Sequence, residues 1–431
     1  MSRVPPTRRV IQINKGIVAP IPPRPRSLRP RAAGEYPHVS PVYRDVAVQF
    51  ASPLLGGPPI CDELLAFVQH VFTEEEAALV RHLGGMTWRT ADEIARLECR
   101  PVAEIQLVLE KVASQKRAIA GERRRKGWRY RLLPIVPGMF ELVLIGESPE
   151  TMSPWHRRFA ELFEALFDTG YLVDYQSHPV PWVRFLPLQG LADSHPAALP
   201  CEKLEVVLDR FQTFGIGSCQ CRMSANVVGK VCDKPLEVCA VMGDWAERGI
   251  QQGWLRSVSK AALLDIKREA ESHGLVTWIM NIESTTGQAS CSCCGCCCKA
   301  MRMVNDFNAP GVVAPPHFVP HFDETKCTYC GKCALTCPLG AITADTRGEH
   351  VQHNPVRCIG CGLCASACTS AQAIQMQQVP AYRLPYRSWL SFLLANGAAM
   401  LGNSWSVWRR RARKIDEAGL AGPQPEKARE C

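Results

Sequence analysis

Two cysteine-rich runs decide the fold of this 431-residue chain: CTYCGKCALTCP at 327–338 and CIGCGLCASACT at 358–369. Each run has the spacing C-x2-C-x2-C-x3-C, which places three thiolates around one face of an iron–sulfur cube. The fourth cysteine of such a run normally ligates the neighbouring cube. The spacing therefore predicts two [4Fe–4S] clusters, one held by Cys327, Cys330, Cys333 and Cys368 and the other by Cys358, Cys361, Cys364 and Cys337.

A zinc ribbon or a disulfide framework is the alternative interpretation of these eight cysteines. Zinc sites usually pair two short knuckles across a longer gap, whereas here three evenly spaced cysteines and a fourth occur twice. The tandem spacing resembles the bacterial two-cluster ferredoxin fold over residues 319–378. The second run departs from that pattern at Thr369, where the first run has Pro338. The resemblance implies transfer of single electrons at low potential.

The composition points to a metal-binding protein of a reducing compartment. The chain has 22 cysteines and a formal net charge of +9. The cysteines cluster as ligands do, which favours the cytoplasm over a secreted disulfide scaffold. No apolar segment follows the twin arginine Arg8–Arg9, so we expect no export signal. Residues 1–45 are basic and rich in proline, and we expect a disordered tail there.

Residues 60–150 are predicted to form a winged helix-turn-helix domain. Capping boxes at Thr73–Glu76 and Thr90–Glu93 begin two helices, and Pro101 begins a third. A two-stranded hairpin follows, and its basic residues are Arg123, Arg124, Arg125, Lys126, Arg129 and Arg131. This charge suits phosphates, but the third helix carries glutamates where DNA bases would be contacted. Nucleic acid is therefore a partner that the sequence allows without favouring it, since such domains also dock proteins.

Residues 151–318 are predicted to form a mixed α/β domain rich in cysteine. PIVPGMFELVLIG, at 134–146, ends the preceding domain and resembles a strand. An amphipathic helix is expected from Ser153, and LVTWIMNI, at 275–282, is expected as a buried strand. Ser259 is expected to cap a helix that ends at Gly274.

Ten cysteines in this middle domain form two sets. The first set is C-x-C-x10-C-x6-C, with Cys219, Cys221, Cys232 and Cys239. The second is CSCCGCCC, with Cys291, Cys293, Cys294, Cys296, Cys297 and Cys298. Six thiols in eight residues cannot all be inert core residues, and the chain between the sets is long enough to return and bring them together. We expect one or two further iron–sulfur clusters, with zinc or a thiol-exchange site as alternatives.

Two cations directly follow these motifs: Arg222 after CQC and Lys299 after CCC. Both would offset the charge of a cluster, although ordinary surface positions are the alternative. The succession of winged helix, cysteine sets and ferredoxin runs, over residues 72–378, is similar to a family of multidomain iron–sulfur proteins of anaerobic metabolism. That resemblance implies the cofactors and no particular reaction.

Residues 379–431 are predicted to form an amphipathic helix and a basic tail. The stretch between Trp389 and Trp408 is just long enough to span a bilayer. Its polar residues fall on one helical face, however, which favours a helix lying on a membrane surface or on a partner, with contact through 389–414. The protein would then be cytoplasmic and peripheral to the inner face of the membrane.

These features predict an α+β multidomain protein: a winged helix, a cysteine-rich α/β domain and a dicluster ferredoxin fold. The leading hypothesis is an electron-transfer protein, or a redox subunit with a partner protein, whose ferredoxin clusters exchange electrons with the middle cysteines. A redox-responsive DNA-binding regulator is the alternative. An enzyme with its own substrate is the third hypothesis, but no acid–base pair, phosphate loop or nucleotide fingerprint identifies a substrate.

Overall fold

The structure is a computed structural model, and it describes residues 9–52, 55–85, 87–125, 127–176, 180–399, 401–402 and 405. Helices and antiparallel sheets are mixed, as the sequence predicts. The α-helices are α1 Pro41–Phe50, α2 Asp62–Val71, α3 Glu74–Val80, α4 Ala91–Glu98, α5 Val102–Ser114, α6 Phe140–Leu144, α7 Pro154–Asp168, α8 Gln189–Ser194, α9 Leu204–Leu208, α10 Gln220–Val227, α11 Asp244–Gln251, α12 Lys260–Ser272, α13 Lys299–Phe307, α14 Lys332–Thr336 and α15 Leu363–Ala367.

The strands form four sheets within the described residues. Their bounds are β1 Ile11–Asn14, β2 Ile17–Pro20, β3 Arg89–Thr90, β4 Ile119–Arg124, β5 Gly127–Leu132, β6 Val183–Phe185, β7 Phe214–Gly217, β8 Cys239–Gly243, β9 Arg256–Val258, β10 Val276–Met280, β11 Gly287–Cys293, β12 Phe318–Phe322, β13 Ile342–Asp345, β14 His350–His353 and β15 Ile374–Gln378. The sheet orders are β1-β2-β13-β14, β6-β10-β11-β8-β7-β9, β12-β15 and β3-β5-β4.

The helical part of the chain has the order of elements expected for residues 60–150. The predicted capping boxes both form: Glu76 N donates to Thr73, and Glu93 N donates to Thr90. Helices α3, α4 and α5 precede the β4–β5 hairpin, and β3 pairs with β5. The assignment as a winged helix stays a prediction. Lys126 of the expected basic hairpin lies outside the described residues.

The strand expected over 134–146 is wrong, because residues 136–138 form an irregular kink and α6 follows at Phe140–Leu144. Its apolar residues are buried at helical spacing, as Met139, Phe140, Val143 and Leu144 show. The ring of Phe140 stacks on Phe163 of α7, with centroids 3.8 Å apart. A short apolar run suits either a strand or a helix, and this helix-on-helix packing decides for the helix.

Residues 9–45 are ordered, so the prediction of a disordered tail does not hold for them; residues 1–8 lie outside the described part. Strand β2 pairs with β13 of the ferredoxin-type domain, where Val18 lies opposite Ala344. Further along, Arg24 makes ion pairs with Asp168 and Asp306. Composition failed here because these arginines are neutralised by carboxylates elsewhere in the chain instead of remaining solvated.

A buried ion network fixes α13 onto α7. Glu164 accepts hydrogen bonds from Lys299, from Arg302 at 2.9 Å and from Ser224 Oγ at 2.6 Å. Arg302 also donates to Asp168 at 2.5 Å. Burial acts to raise the pKa of Glu164, but the two cations outweigh it and lower the pKa to about 2. The carboxylate is therefore charged, and α13 begins directly beside it.

The end of the described chain is a helix over 389–399. Phe392 is buried and meets Trp182 and Tyr386 edge-on. The opposite face carries apolar residues that are 54–67% exposed: Leu390, Leu393, Leu394, Leu401 and Trp405. Within the described residues, no helix is both long and apolar enough to cross a membrane.

Removing the charge of Glu164 should destabilise the helical part of the protein. Glu164→Gln leaves Lys299 and Arg302 buried without a full counter-charge, which typically costs about 3–5 kcal/mol. The matched control is Glu161→Gln on the same helix, whose pair with Arg158 is exposed and contributes about 1 kcal/mol or less. Urea unfolding followed by tryptophan fluorescence measures both changes.

The stability difference between wild type and Glu164→Gln should also depend on pH. Because the pKa of Glu164 is lower in the folded protein than its usual value of 4.5, its contribution is complete above about pH 4.5 and is lost as pH falls through about 2. The difference in unfolding free energy between wild type and Glu164→Gln should therefore shrink across that range. A difference independent of pH would contradict the ionised assignment.

Candidate metal centres

The two ferredoxin runs have the same local structure. Helix α14 begins after Gly331 and α15 begins after Gly362, and both glycines are left-handed, with φ of 71° and 84°. A side chain at these positions would strain the backbone, so glycine allows the tight turn between the second and third cysteines. Strand β12 pairs with β15 and closes the domain across both runs.

The eight ferredoxin thiols lie in two neighbourhoods. The first contains Cys327, Cys330, Cys333 and Cys368, and the second contains Cys337, Cys358, Cys361 and Cys364. The second four also line one cavity together. Each neighbourhood thus includes the fourth cysteine of the other run, which fits two cubes with exchanged ligands. Their role as ligands stays a prediction.

Backbone N–H groups approach the sulfur atoms of the second neighbourhood. Ala341 N donates to Cys337 Sγ at 3.2 Å, and Gly360 N donates to Cys358 Sγ at 3.4 Å. Such bonds withdraw charge from a thiolate and tune the potential of a cluster. In the first neighbourhood, burial raises the pKa of Cys333 to about 12. A bound metal would be needed to hold that thiol ionised at neutral pH.

One end of the six-stranded sheet gathers the middle cysteines. Strand β7 ends two residues before Cys219, and its Gly217 pairs with Cys239 at the start of β8. Strand β11 runs antiparallel to β8, so its last residues, Cys291 and Cys293, arrive at the same end. The two cysteine sets, which are separated in sequence, therefore meet in space.

Four of these thiols form a compact cluster, the four-thiol group: Cys232, Cys294, Cys296 and Cys297. All four sulfur atoms lie within 4.8 Å of one another. Cys296 Sγ is 4.0 Å from Cys232 Sγ and 3.7 Å from Cys297 Sγ. The group joins one cysteine of the first set to three of the second.

The other six thiols form a second cluster, the six-thiol group: Cys219, Cys221, Cys239, Cys291, Cys293 and Cys298. Cys239 interacts with Cys219 and Cys291, and Cys293 interacts with Cys291 and Cys298. Cys221 lies beside Cys219 and Cys298. Hydrogen bonds from Cys239 and Cys293 lower the pKa of Cys291 to about 5, and Lys267 adds to the shift.

Two fully buried cations face these thiols. Arg222 and Lys267 are both 0% exposed. Arg222 donates to Ser292 O and lies 3.7 Å from Cys294 Sγ, and Lys267 Nζ donates to Ser290 O and to Ser292 Oγ. Neither forms a salt bridge with a carboxylate in the described part of the chain. An uncompensated buried charge is costly, so negative sulfur is the compensation that this arrangement offers.

Arg222 and Lys299 are therefore not the surface cations of the alternative prediction. Lys299 nevertheless differs from Arg222, because its charge is neutralised by Glu164. Sequence reasoning missed Lys267, although a signal exists: it shares the buried face of α12 with Leu263 and Ala270, at positions i−4 and i+3. A lysine on an apolar helical face marks a buried charge that needs a partner.

The cysteine-rich loop, residues 291–298, touches the ferredoxin-type domain directly. A Cβ added to Gly295 would lie 1.8 Å from Pro338 O, so the two backbones meet where a side chain cannot fit. Asn305 Nδ2 donates to Gly295 O and to Pro338 O, both at 3.0 Å. Arg357 donates to Asn305 Oδ1 at 2.9 Å and to Leu339 O at 2.7 Å. Sequence reasoning missed both polar residues, since neither belongs to a motif.

Four cysteines belong neither to the ferredoxin runs nor to the two middle sets: Cys61, Cys99, Cys201 and Cys431. Cys61 and Cys201 are buried, and Cys99 is exposed. Cys431 lies outside the described residues.

Comparisons with known proteins cover the ferredoxin runs. The family described as "4Fe-4S dicluster domain" matches residues 320–369. The "Archaeal-type glutamate synthase [NADPH]" of Thermotoga sp. strain RQ2 and that of Thermotoga maritima are each 35% identical over 54 residues. These residues are 12% of this chain and 11% of each relative, so the chain spans about a tenth of the length of the curated relatives it matches. No solved structure matches. The chain thus contains a 4Fe-4S dicluster domain.

Truncating Asn305 should loosen the contact between the loop and the ferredoxin-type domain. Asn305→Ala leaves Gly295 O and Pro338 O without their donor, at a cost of about 1–3 kcal/mol for each buried group. Hydrogen exchange should accelerate in residues 291–298 and 337–341 and stay unchanged in α3–α5. Asn354→Ala is the control, because Asn354 bonds an exposed turn. Equal exchange in both variants would contradict the bridging role.

Proposed function

We propose that this chain is an iron–sulfur electron-transfer protein whose ferredoxin-type domain exchanges electrons with a redox site in the six-thiol group. Clusters bound by the eight ferredoxin cysteines supply one-electron transfer at low potential. The protein works as an oxidoreductase subunit or with a separate redox partner. The dicluster match at 320–369 supports an iron–sulfur role.

The packing of Cys293 and Cys298 of the six-thiol group against the ferredoxin-type domain carries this proposal, and the backbone contact between Gly295 and Pro338 fixes it. Gly295 lies between Cys294 and Cys296, and Pro338 directly follows Cys337. Cys293 and Cys298 share an apolar cluster with Leu339, Ile359 and Cys361 of the ferredoxin-type domain. Electron transfer falls steeply with distance, so direct contact between the two cysteine regions favours exchange between them.

The residues around the six-thiol group prepare it for bound, negatively charged sulfur. Lys267, beside Cys239, Cys291 and Cys293, supplies positive charge that water does not screen. The surrounding Val276, Met301 and Leu339 are buried and keep water away. The nearby positive charge stabilises the reduced form of a cluster, because reduction adds one negative charge, and the exclusion of water leaves this attraction unscreened.

A redox partner is supported by the curated relatives. The similar stretch occurs in two proteins named "Archaeal-type glutamate synthase [NADPH]", a name that includes the electron carrier NADPH. We therefore propose that the ferredoxin-type domain receives or delivers electrons through a partner protein. No substrate of this chain follows from that similarity.

The alternative function, a redox-responsive DNA-binding regulator, has weaker support. Arg129 and Arg131 of the hairpin both lie over the ring of Trp88, at 4.8 Å. Arg129 is also paired with Glu122. On α5, the third helix of the predicted winged helix, Leu107 is 71% exposed. An exposed leucine suits a protein contact better than base edges.

We also propose that the C-terminal helix attaches the protein to an anionic membrane surface. Its five exposed apolar residues include Leu393, Leu394 and Trp405 on one face. The sequence continues with RRRARK at 409–414, whose charge complements anionic headgroups. An apolar face joined to basic residues is typical of interfacial helices.

The metal content of the intact chain, purified without oxygen, tests the redox site. The ferredoxin clusters alone account for about eight iron and eight sulfide, and one further cluster raises both to about twelve. The double variant Cys291→Ser/Cys298→Ser should return to about eight of each and lose one centre in an EPR-monitored redox titration. Cys99→Ser, at an exposed thiol, is the matched control and should equal wild type.

Two results would refute the relay. One is wild-type protein with about eight iron and no reducible centre beyond the ferredoxin clusters. The other is a double variant that keeps the full iron content and every EPR signal. If circular dichroism shows that the double variant has an altered helical content, Cys239→Ser is used in its place. This variant removes one thiol from the centre of the same group.

Vesicle binding tests the membrane contact. Wild type should cosediment with vesicles of phosphatidylcholine and phosphatidylglycerol and bind pure phosphatidylcholine much more weakly. Leu393→Glu/Leu394→Glu should weaken binding at least tenfold, since each leucine contributes about 1.5–3 kcal/mol when buried. Val231→Glu, at another exposed apolar residue, should have no effect. Unchanged binding by the double variant would exclude this face.

A further inference from the structure

The four-thiol group differs from the other cysteines in its spacing. A tetrahedral ion with Zn–S bonds of about 2.3 Å holds its four sulfur atoms about 3.8 Å apart. The distances from Cys296 Sγ, 4.0 Å to Cys232 and 3.7 Å to Cys297, agree with that edge. A cubane separates its thiolates more widely, because each binds a different iron at a different corner.

The positions of the four cysteines in the chain also favour the binding of a single ion. Cys296 and Cys297 are consecutive, and neighbouring Cα atoms are about 3.8 Å apart, so both thiols can turn to one ion. Cys294 reaches the same point from the end of β11. Cys232 closes the group from a loop, where Asn226 Oδ1 accepts a hydrogen bond from its backbone N–H at 2.8 Å.

Two arginines balance the charge of such a site. Four thiolates around a divalent ion carry a net charge of −2. Arg9 donates to Cys297 Sγ at 3.2 Å, and fully buried Arg222 lies 3.7 Å from Cys294 Sγ. Arg222 is held there by hydrogen bonds from both of its terminal nitrogens to Ser292 O, at 3.1 and 3.0 Å. The two guanidinium groups bring the total to zero.

We propose that Cys232, Cys294, Cys296 and Cys297 bind a single tetrahedral divalent ion of the zinc class, which takes no part in electron transfer. The ion ties three segments together: the loop after α10, the cysteine-rich loop and, through Arg9, the start of the described chain. It holds the cysteine-rich loop in place while the six-thiol group remains for the redox site. This inference goes beyond the proposed function, and each can fail without the other.

Zinc, iron and sulfide analysis of the full chain tests the site. We expect one zinc per chain in protein purified without oxygen in zinc-containing medium. Cys232→Ser/Cys296→Ser should lose this zinc and keep the wild-type iron and sulfide. Cys99→Ser is the control and should keep all three. Protein produced with cobalt should bind one Co²⁺ and show the strong visible absorption of a tetrahedral tetrathiolate, absent from the double variant.

A second variant covers the case in which the double variant does not fold. Cys232→His keeps a zinc-type ligand set of three cysteines and one histidine, so it should retain one zinc per chain. The proposal is overturned if wild type contains no zinc, or if Cys232→Ser/Cys296→Ser loses about four iron and four sulfide, which would place a cluster there. Zinc content does not depend on the iron count, so a failed relay leaves this result intact.

Discussion

The amide of Asn305 joins the two cysteine-bearing parts of this protein, and the proposed chemistry depends on that junction. It donates to the backbone of Gly295 and of Pro338, while Arg357 holds its oxygen from the ferredoxin side. Because Gly295 has no side chain, the loop approaches Pro338 closely. The distance between the middle thiols and the ferredoxin cysteines follows from this contact.

Buried charge is handled in two different ways on either side of the cysteine-rich loop. Lys299 and Arg302 are neutralised by Glu164 and Asp168, so they act as structural ties between α13 and α7. Arg222 and Lys267 point at sulfur and at backbone carbonyls. The desolvation cost of a buried cation has to be offset by negative charge. For Arg222 and Lys267, unlike Lys299 and Arg302, that charge would come from thiolates.

The start of the described chain connects parts that composition would separate. Strand β2 extends the sheet of the ferredoxin-type domain, Arg24 reaches Asp168 of α7, and Arg9 reaches Cys297. A basic, proline-rich segment has too few apolar residues to order itself. It is ordered here because other elements supply its partners: strand β13 for its backbone, and Asp168 and Cys297 for its arginines.

The sequence by itself determined the features that depend on neighbouring residues. The spacing of the ferredoxin cysteines predicts a 4Fe-4S dicluster domain, which the family match confirms, and the capping boxes at Thr73 and Thr90 predict helix starts that form as expected. The tertiary structure alone decided which of ten middle thiols share a site. That partition depends on the register of β7, β8 and β11, and on Cys232 reaching across from a distant loop. It also decided that Lys267 is buried and that Phe140–Leu144 is helical, because packing partners far along the chain select among conformations that the local sequence permits equally.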